Sequence, residues 1–247
     1  MALTDKLTAI GNAIRQKTGK TDLIPLADMP NEILSISSGG SVEDNPVYYA
    51  TTLSFSEASF PENYNFVLKV RKLYGLNNMF LRAKTVKSVK IISDINDNAI
   101  EYQAAFREAS ALETVDLTEC NRNIKGVAYM CLSASALKSI YGALDFTNCT
   151  NTTIWLNGAG KLEDIEFVPD TIKISLSFQW CSKLSKKSIT SAIKGLDNSV
   201  TGQTVTFQKT SINNAFGINV DDESTYTEEF VALRESKNNW IFGYTIV

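Results

Sequence analysis

The chain of 247 residues is 44% hydrophobic and 21% charged, which is ordinary for a folded chain and argues against disorder. A net charge of −3 without a basic run gives no attraction to nucleic acid, and no apolar run approaches the ~18 residues of a membrane-spanning helix. Histidine is absent, which removes the commonest general base, the usual hydrolase triads and histidine-containing zinc sites.

The first predicted element is an amphipathic helix that ends at Gly19. Its apolar residues recur at steps of four, three and four, and they are Leu3, Leu7, Ile10 and Ile14. This spacing places them on one helix face. Gly19 is typical of a C-terminal helix cap. The same stretch lacks the continuous apolar segment of a secretory signal peptide, so we expect the chain to stay in the cytoplasm that makes it or to leave by another route.

Residues 19–21, Gly-Lys-Thr, look like the end of a phosphate-binding P-loop. That motif needs a first glycine at position 14, where this chain has Ile14, and it follows a strand and opens a helix. Here the glycine closes a helix. A second candidate, GAGKLED, has Trp155 in the first-glycine position and Leu162 after the lysine. We therefore predict no nucleotide site and no cofactor.

A short second helix is predicted within LIPLADMPNEILSI, with Met29, Ile33 and Ile36 along one side. Two helices of this length cannot form a core on their own. Residues 1–36 are thus expected to be a small helical hairpin that packs against copies of itself or against another protein. Residues 37–45 form a linker, and residues 46–247 form a second domain whose first strands lie in 46–75.

The strongest signal is a repeat. Five segments each have small residues, an apolar residue, two polar residues and usually another apolar one, at 79–91, 106–117, 131–140, 156–167 and 178–185. Their apolar anchors are Val86, Leu112, Leu137, Leu162 and Leu184, at spacings of 26, 25, 25 and 22 residues. One unit cannot bury its apolar face alone, so we expect a stacked solenoid of about five coils.

A leucine-rich-repeat pattern, Leu-x-Leu-x-x-Asn/Cys, follows the anchors. Its last position is occupied by Asp94, Cys120, Cys149 and Asp170. We predict that Cys120 and Cys149 are small buried thiols bonded to the backbone between coils. The four cysteines include no Cys-x-x-Cys pair, which argues against a zinc ribbon or a redox site. Trp155 and Trp180 are also interpreted as core residues.

Three predicted elements close the solenoid. Residues 185–196 and 225–236 form helices, the second with Thr225 and Glu228 as a capping box. The last element is a half-buried strand whose alternating side chains are Trp240, Phe242, Tyr244 and Ile246.

Two acidic stretches could suggest a cation. Residues 94–98 begin like an EF-hand loop, but Ala99 and Ala105 stand where the loop needs glycine and glutamate. We interpret them as a turn of Asx residues. Residues 221–223 are interpreted as a solvated loop, where an adventitious cation is left open.

The segment LTDKLTAIGNAIRQKTGKTDLIPLADMPNEILSI resembles one found on tail- and baseplate-associated structural proteins of phages that infect Gram-positive bacteria. That segment typically reads Lys-Leu-x-x-Ile-x-x-Ala-Ile-Arg-x-Lys-Thr-Gly, followed by Leu-x-x-Met-Pro-x-x-Ile. The repeats resemble BspA-type leucine-rich repeats, which occur in adhesins as well as in virion proteins. The implied fold is α/β and β-rich, a BspA-like leucine-rich-repeat solenoid preceded by the N-terminal helical hairpin.

Together the resemblances imply a non-enzymatic virion protein of a phage or phage-tail-like particle, in its tail or baseplate. Residues 1–36 would attach it to other virion proteins or oligomerise it, with a trimer favoured because phage fibres often are trimers. The attachment residues are Leu3, Leu7, Ile10, Ile14, Met29, Ile33 and Ile36. The solenoid would contact a host cell-surface glycan or protein, or serve as structural decoration; the resemblance transfers no ligand-binding residue.

Three alternatives remain. The first is a BspA-like bacterial surface adhesin, against which the missing signal peptide argues. An intracellular scaffold is the second. The third is a glycosidase, which needs two carboxylates ~5–10 Å apart, and no feature of the sequence nominates such a pair.

Overall fold

The computed structural model describes residues 8, 12, 47–49, 54–58, 60–73, 75–95 and 98–246. The chain divides into two compact units, Met1–Asp44 and Asn45–Val247. In the first unit, Thr8 and Asn12 are helical and exposed. The seven predicted attachment residues lie outside the described residues, as do Gly19 and the predicted second helix, so the hairpin stays a prediction.

The second unit is rich in β-strands. In chain order the strands are β1 (Val47–Tyr49), β2 (Tyr64–Lys72), β3 (Val86–Ile95), β4 (Ile100–Glu101), β5 (Thr114–Glu119), β6 (Ile124–Gly126), β7 (Ser139–Leu144), β8 (Asp164–Phe167), β9 (Leu176–Phe178), β10 (Thr204–Gln208) and β11 (Ile241–Thr245). The described residues also contain α1 (Lys186–Gly195), α2 (Lys209–Phe216), α3 (Glu228–Glu235) and a 3-10 turn, Glu223–Thr225.

The strands of the described chain pair in parallel and stack into a solenoid of about six turns, one more than the repeat predicted. The main sheet has the order β1-β2-β3-β5-β7-β8, and smaller sheets have the orders β11-β10-β9 and β4-β6. Equivalent residues of successive coils face one another, as Val115 does with Val89 on one side and Ile140 on the other. The spacing of about 25 residues therefore sets the register.

The interior of the described chain is predominantly apolar. All five repeat anchors are buried: Val86, Leu112, Leu137, Leu162 and Leu184. Aromatic rings also stack from coil to coil, with 5.6 Å between the ring centroids of Phe80 and Phe106 and 5.2 Å between those of Phe178 and Phe207. Each coil covers the apolar face of the next, which is why the units are stable only as a stack.

A second ladder joins the turns on another side of the solenoid. Every second backbone N–H from Leu76 to Arg82 donates to a carbonyl 25 residues later, at 2.8–2.9 Å. The segments 102–108 and 127–133 repeat this with carbonyls 24 residues later, at 2.7–2.8 Å. Each of these three turns holds two residues of positive φ four positions apart, in the pairs 78 and 82, 104 and 108, and 129 and 133, and the turn of the next coil has the pair 154 and 158.

Ile154 is the strained member of this set. It has φ 50°, and the residue is 49% exposed. A β-branched residue in this region is an outlier that costs roughly 1–2 kcal/mol, whereas asparagine tolerates it and occupies the equivalent position 78. We expect Ile154→Asn to raise the free energy of unfolding by about 1 kcal/mol, because little burial is lost.

Urea denaturation measures this change. Ile241→Asn is the control, since Ile241 is 57% exposed but lies in strand β11 without positive φ. A gain confined to Ile154→Asn is expected. No gain over the control would mean that contacts of the isoleucine outweigh its backbone strain.

Helix α1 covers the free edge of β8, the position that a further strand of the main sheet would occupy. The Ser188 hydroxyl accepts a hydrogen bond from the Ile165 N–H (2.9 Å) and donates one to the Glu163 carbonyl (2.9 Å). Ser191 likewise accepts from the Phe167 N–H at 2.9 Å. Serine hydroxyls both donate and accept, so they satisfy the backbone of β8 and blunt an edge that could pair with another chain.

Removing the Ser188 hydroxyl should destabilise the cap. Ser188 is 1% exposed, so Ser188→Ala leaves a buried N–H and a buried carbonyl without this partner, at a cost of about 1–3 kcal/mol. Thermal unfolding compared with Thr190→Ala, a half-buried hydroxyl on the same helix, measures the difference. Equal losses in the two variants would show that the hydroxyl bonds to β8 do not hold the cap.

Of the two helices predicted to close the solenoid, one is confirmed and the other needs correction. The helix over 185–196 is confirmed, with Ser185 as N-cap. The helix near 225 instead begins at Glu228, and its cap is Thr227, whose Oγ1 accepts from the Phe230 N–H. Thr225 belongs to the 3-10 turn, since the chain makes one more turn before the helix starts.

The last strand also differs from the prediction. Trp240 is buried and precedes β11, and Phe242 and Tyr244 are half-buried as predicted. Ile246, predicted on the same half-buried face, is 78% exposed because it lies beyond the end of the strand. Strand β10 and helix α2 were not predicted. Strand β10 pairs in parallel with β11 and so provides the sheet edge on which the last strand adds.

Candidate functional site

The outward face of the main sheet carries polar residues in rows that run along the stack. One row passes through registered neighbours Asn65, Ser88, Thr114, Ser139 and Asp164. Within it, the Ser88 hydroxyl donates to Asn65 Oδ1 at 2.6 Å. Ser139 is buried and the other four members of the row are partly or fully exposed, so the row is a largely exposed polar surface of the kind that solenoids use for binding.

A neighbouring row alternates in charge from coil to coil, in the order Lys87, Glu113, Lys138 and Glu163. Glu113 lies between two lysines, 2.8 Å from Lys138 Nζ and 3.9 Å from Lys87 Nζ. The hydrogen bond from Lys138 lowers the pKa of Glu113. Exposed pairs of this kind add little stability, but alternating signs disfavour a shifted stacking register.

Strand β7 interrupts this regular face with a bulge. Ile140 lies opposite Ile165 and Leu144 lies opposite Phe167, so β7 advances four residues over the distance that β8 covers in two. Gly142 has φ 97° there. The neighbouring Tyr141 is 46% exposed. Bulges often re-aim side chains at binding sites, which makes Tyr141 a candidate contact residue on this face.

A cavity of about 440 Å³ lies at the C-terminal end, where the 3-10 turn, α3 and β11 come together. Its lining is aromatic and charged: Glu223, Tyr226, Val231, Arg234, Glu235, Lys237, Asn238, Trp240 and Phe242. The guanidinium carbon of Arg234 lies 5.3 Å from the ring centroid of Tyr226 and 5.7 Å from that of Phe242. The rings hold the guanidinium in place by cation–π attraction.

The polar groups around the cavity are unequally satisfied. Lys237 Nζ is bound 2.5 Å from both Asp170 Oδ1 and the Leu196 carbonyl. By contrast, the Tyr244 hydroxyl is buried and has no hydrogen-bond partner among the described residues. Burial raises the pKa of Tyr244 to about 12, and the charges of Arg234 and Glu223 also act on it. Tyr244 lies on β11 two residues after Phe242, but it is not one of the residues that line the cavity.

The thiols occupy structural positions. Cys120 Sγ lies 3.5 Å from the Leu117 carbonyl, and Cys149 Sγ lies 3.8 Å from the Asn151 carbonyl. Burial raises the pKa of Cys120 to about 12 and that of Cys149 to about 11. At neutral pH these thiols are protonated, so they are poor nucleophiles.

One of the two tryptophans predicted in the core is on the surface. Trp155 is 1% exposed, as predicted, but Trp180 is 36% exposed. Trp180 occupies the repeat position of Arg82 and Glu108, directly before the small residue that faces the core, and this position points outward in each coil. The Asp170 side chain is 66% exposed, because this residue has φ 55° and reaches Lys237. The side chain of Asp94 lies outside the described ones.

The cavity residues were not predicted as a site. Tyr226, Phe230 and Arg234 recur every four residues, a spacing that brings side chains together along a helix. That signal could have pointed to the stacked guanidinium. Nothing in the sequence places Phe242 and Trp240 beside it, because that contact depends on the path of β10 and α2.

The acidic stretches hold their own local contacts. Asp221 pairs with Lys209 Nζ at 2.5 Å, and Asp222 accepts from the Ser224 N–H at 3.1 Å. Asn96 and Asp97 lie outside the described residues. Across the described ranges, no group of three cysteine or acidic side chains could hold a metal ion. Nor does any helix in the described part of the chain have the length and apolar character to cross a membrane.

Comparison with known proteins leaves the family open. No protein-family model matches the chain, and no significant match was found among the curated proteins or the solved structures. The structure itself shows a β-rich parallel solenoid. Because no relative suggests a function, function has to be argued from the surfaces described above.

Proposed function

We propose that this chain is a non-enzymatic protein of a phage or phage-tail-like particle, placed in the tail or baseplate, whose solenoid is displayed for host-surface contact or structural decoration. The observation that carries the proposal is the stacked outward face, on which successive coils contribute polar side chains at equivalent positions. Such extended surfaces suit recognition of a repetitive partner. The phage-like segment of residues 3–36 supports the placement in a particle.

The repeats are proposed to be of the BspA leucine-rich type. Support comes from the buried anchors, such as Leu112 and Leu137, and from the thiols of Cys120 and Cys149 bonded to backbone carbonyls. Both features are those expected of the Leu-x-Leu-x-x-Asn/Cys pattern.

The first experiment is to induce particles from the producing strain, purify them and identify their proteins by mass spectrometry. The chain should copurify with tail proteins in fixed proportion. Its absence from intact particles would overturn the proposal. A BspA-like surface adhesin is the second candidate, since such repeats also occur in adhesins; protein accessible to protease on intact, uninduced cells would favour it.

Residues 1–36 are proposed to attach the chain to virion proteins or to oligomerise it, with a trimer favoured. Light scattering of the full chain and of the variant Leu7→Asp with Ile10→Asp tests the self-association. A fall from trimer to monomer is expected. A monomeric full chain would assign the apolar face to a different virion protein.

A further inference from the structure

The cavity at the C-terminal end contains a cation whose hydrogen-bonding capacity is unused. Arg234 sits against three rings, Tyr226, Phe230 and Phe242, with 5.3–5.9 Å from its guanidinium carbon to their centroids. Its side chain is only 30% exposed. A guanidinium has five N–H donors, yet within the described part of the chain none of those on Arg234 makes a hydrogen bond.

A carboxylate stands across from this donor group. Glu223 Oε1 lies 3.8 Å from Arg234 Nη1, which is outside hydrogen-bond distance. The glutamate side chain is 82% exposed. A donor without a hydrogen-bond partner in the described chain and a carboxylate acceptor thus border the same cavity, close enough for one small polar ligand to contact both.

The charges around the cavity disfavour an anion. Arg234 is the cation available to a ligand, since Lys237 is bound to Asp170 and a carbonyl. Glu223 and Glu235 both line the cavity and offset it. A phosphate or carboxylate would therefore meet two acidic groups for one available cation among the lining residues.

Aromatic and polar groups together define a ligand class. Phe242 and Tyr226 are half-buried, so part of each ring is accessible. The hydroxyl of Tyr226 is already bound to the Val220 carbonyl (2.9 Å), which leaves its ring as an apolar wall. The apolar face of a sugar packs on such walls, while its hydroxyls both donate and accept. A volume of about 440 Å³ is in the range of small-ligand sites.

We propose that this cavity binds a neutral sugar unit of a glycan, with Arg234 donating to and Glu223 accepting from its hydroxyls while Phe242 and Tyr226 contact its apolar face. The assignment rests on the proposed host-surface role and names the chemistry of the partner. Tyr244, which lies on β11 two residues after Phe242, has a buried hydroxyl that also lacks a partner among the described residues. The cavity lies at the end of the solenoid, beside the closing strand.

The test is equilibrium binding of the full chain to hexose and N-acetylhexosamine disaccharides, with a uronic-acid disaccharide and glycerol phosphate as anionic probes. Saturable binding to a neutral disaccharide is expected. Arg234→Gln and Glu223→Gln should each raise its Kd at least tenfold. Glu223 lies on an exposed turn, so its variant keeps the test valid if Arg234→Gln unfolds.

Matched controls separate the cavity from the strand face. Arg107→Gln and Glu119→Gln make the same charge changes on side chains that are 38% and 55% exposed. They should leave the Kd unchanged. Binding that survives both cavity variants but is lost in Tyr141→Ala would overturn the cavity assignment and leave the display role intact.

Two further outcomes would also overturn the inference. One is binding of the anionic probes alone, and the other is binding of no probe at all. Neither result bears on the presence of the protein in purified particles, so the proposed function is judged separately by that experiment.

Discussion

Trp155→Ala is expected to destabilise the solenoid by about 3–5 kcal/mol, the range for deleting a large buried aromatic side chain. Trp155 is 1% exposed, and its ring centroid lies 5.9 Å from that of Phe146 and 5.5 Å from that of Phe178. Its Nε1 also donates to the Ser177 carbonyl at 3.0 Å. The side chain therefore joins three coils, and urea denaturation measures its loss.

Trp180→Ala is the matched control, because it removes the same side chain from a position that is 36% exposed. We expect it to cost less than about 1.5 kcal/mol. Trp155→Phe keeps the ring packing and loses the indole N–H, so about 1–2 kcal/mol is expected. Similar losses for both alanine variants would contradict the burial difference between the two tryptophans.

The leucine pattern predicted the stacking because each apolar anchor occupies the same position in its coil. Val86 and Leu112 repeat at the spacing at which strands β3 and β5 pair, so sequence spacing and register carry the same information. The turn ladder carried no such signal. Its positive-φ positions hold Asn78, Ala104 and Tyr129 in successive coils, and two of these residue types do not favour that conformation.

The features that the sequence did not predict depend on contacts between residues that are far apart in the chain. Trp180 and Trp155 are both tryptophans near repeat junctions. Only the position of Trp180 within its turn shows that it faces outward. The cavity likewise depends on β10 and α2, which carry no repeat anchor. Arg234 could have been flagged by its spacing from Phe230, whereas its contact with Phe242 required the fold.

The hydroxyl cap shows a different limit. Ser188 and Ser191 are ordinary helix residues by composition, and their bonds to the backbone of β8 become visible only when the helix lies along the sheet edge. Local patterns thus predict which residues are buried, while closure of the solenoid depends on contacts between elements.

Gly158→Ala is expected to cost about 2–3 kcal/mol, because two penalties coincide at this turn. Gly158 has φ 84°, a region that side chains avoid. A Cβ added there would lie 3.2 Å from the Ser133 Cα and 3.3 Å from its N, and these backbone atoms belong to the neighbouring coil. Ser133 occupies the equivalent turn position of the neighbouring coil and has φ 60° although it carries a side chain. Positive φ alone therefore does not require glycine, and the close approach of the coils distinguishes Gly158.

Gly202→Ala separates the two penalties. Gly202 has φ 71°, and nothing lies within 4 Å of the position its Cβ would take. That variant should lose only about 1 kcal/mol, the backbone part. Urea denaturation of both variants at constant m-value measures the difference. A larger loss for Gly158→Ala would show that the coils are packed too closely at this turn to admit a methyl group, and equal losses would mean that the stack relaxes around it.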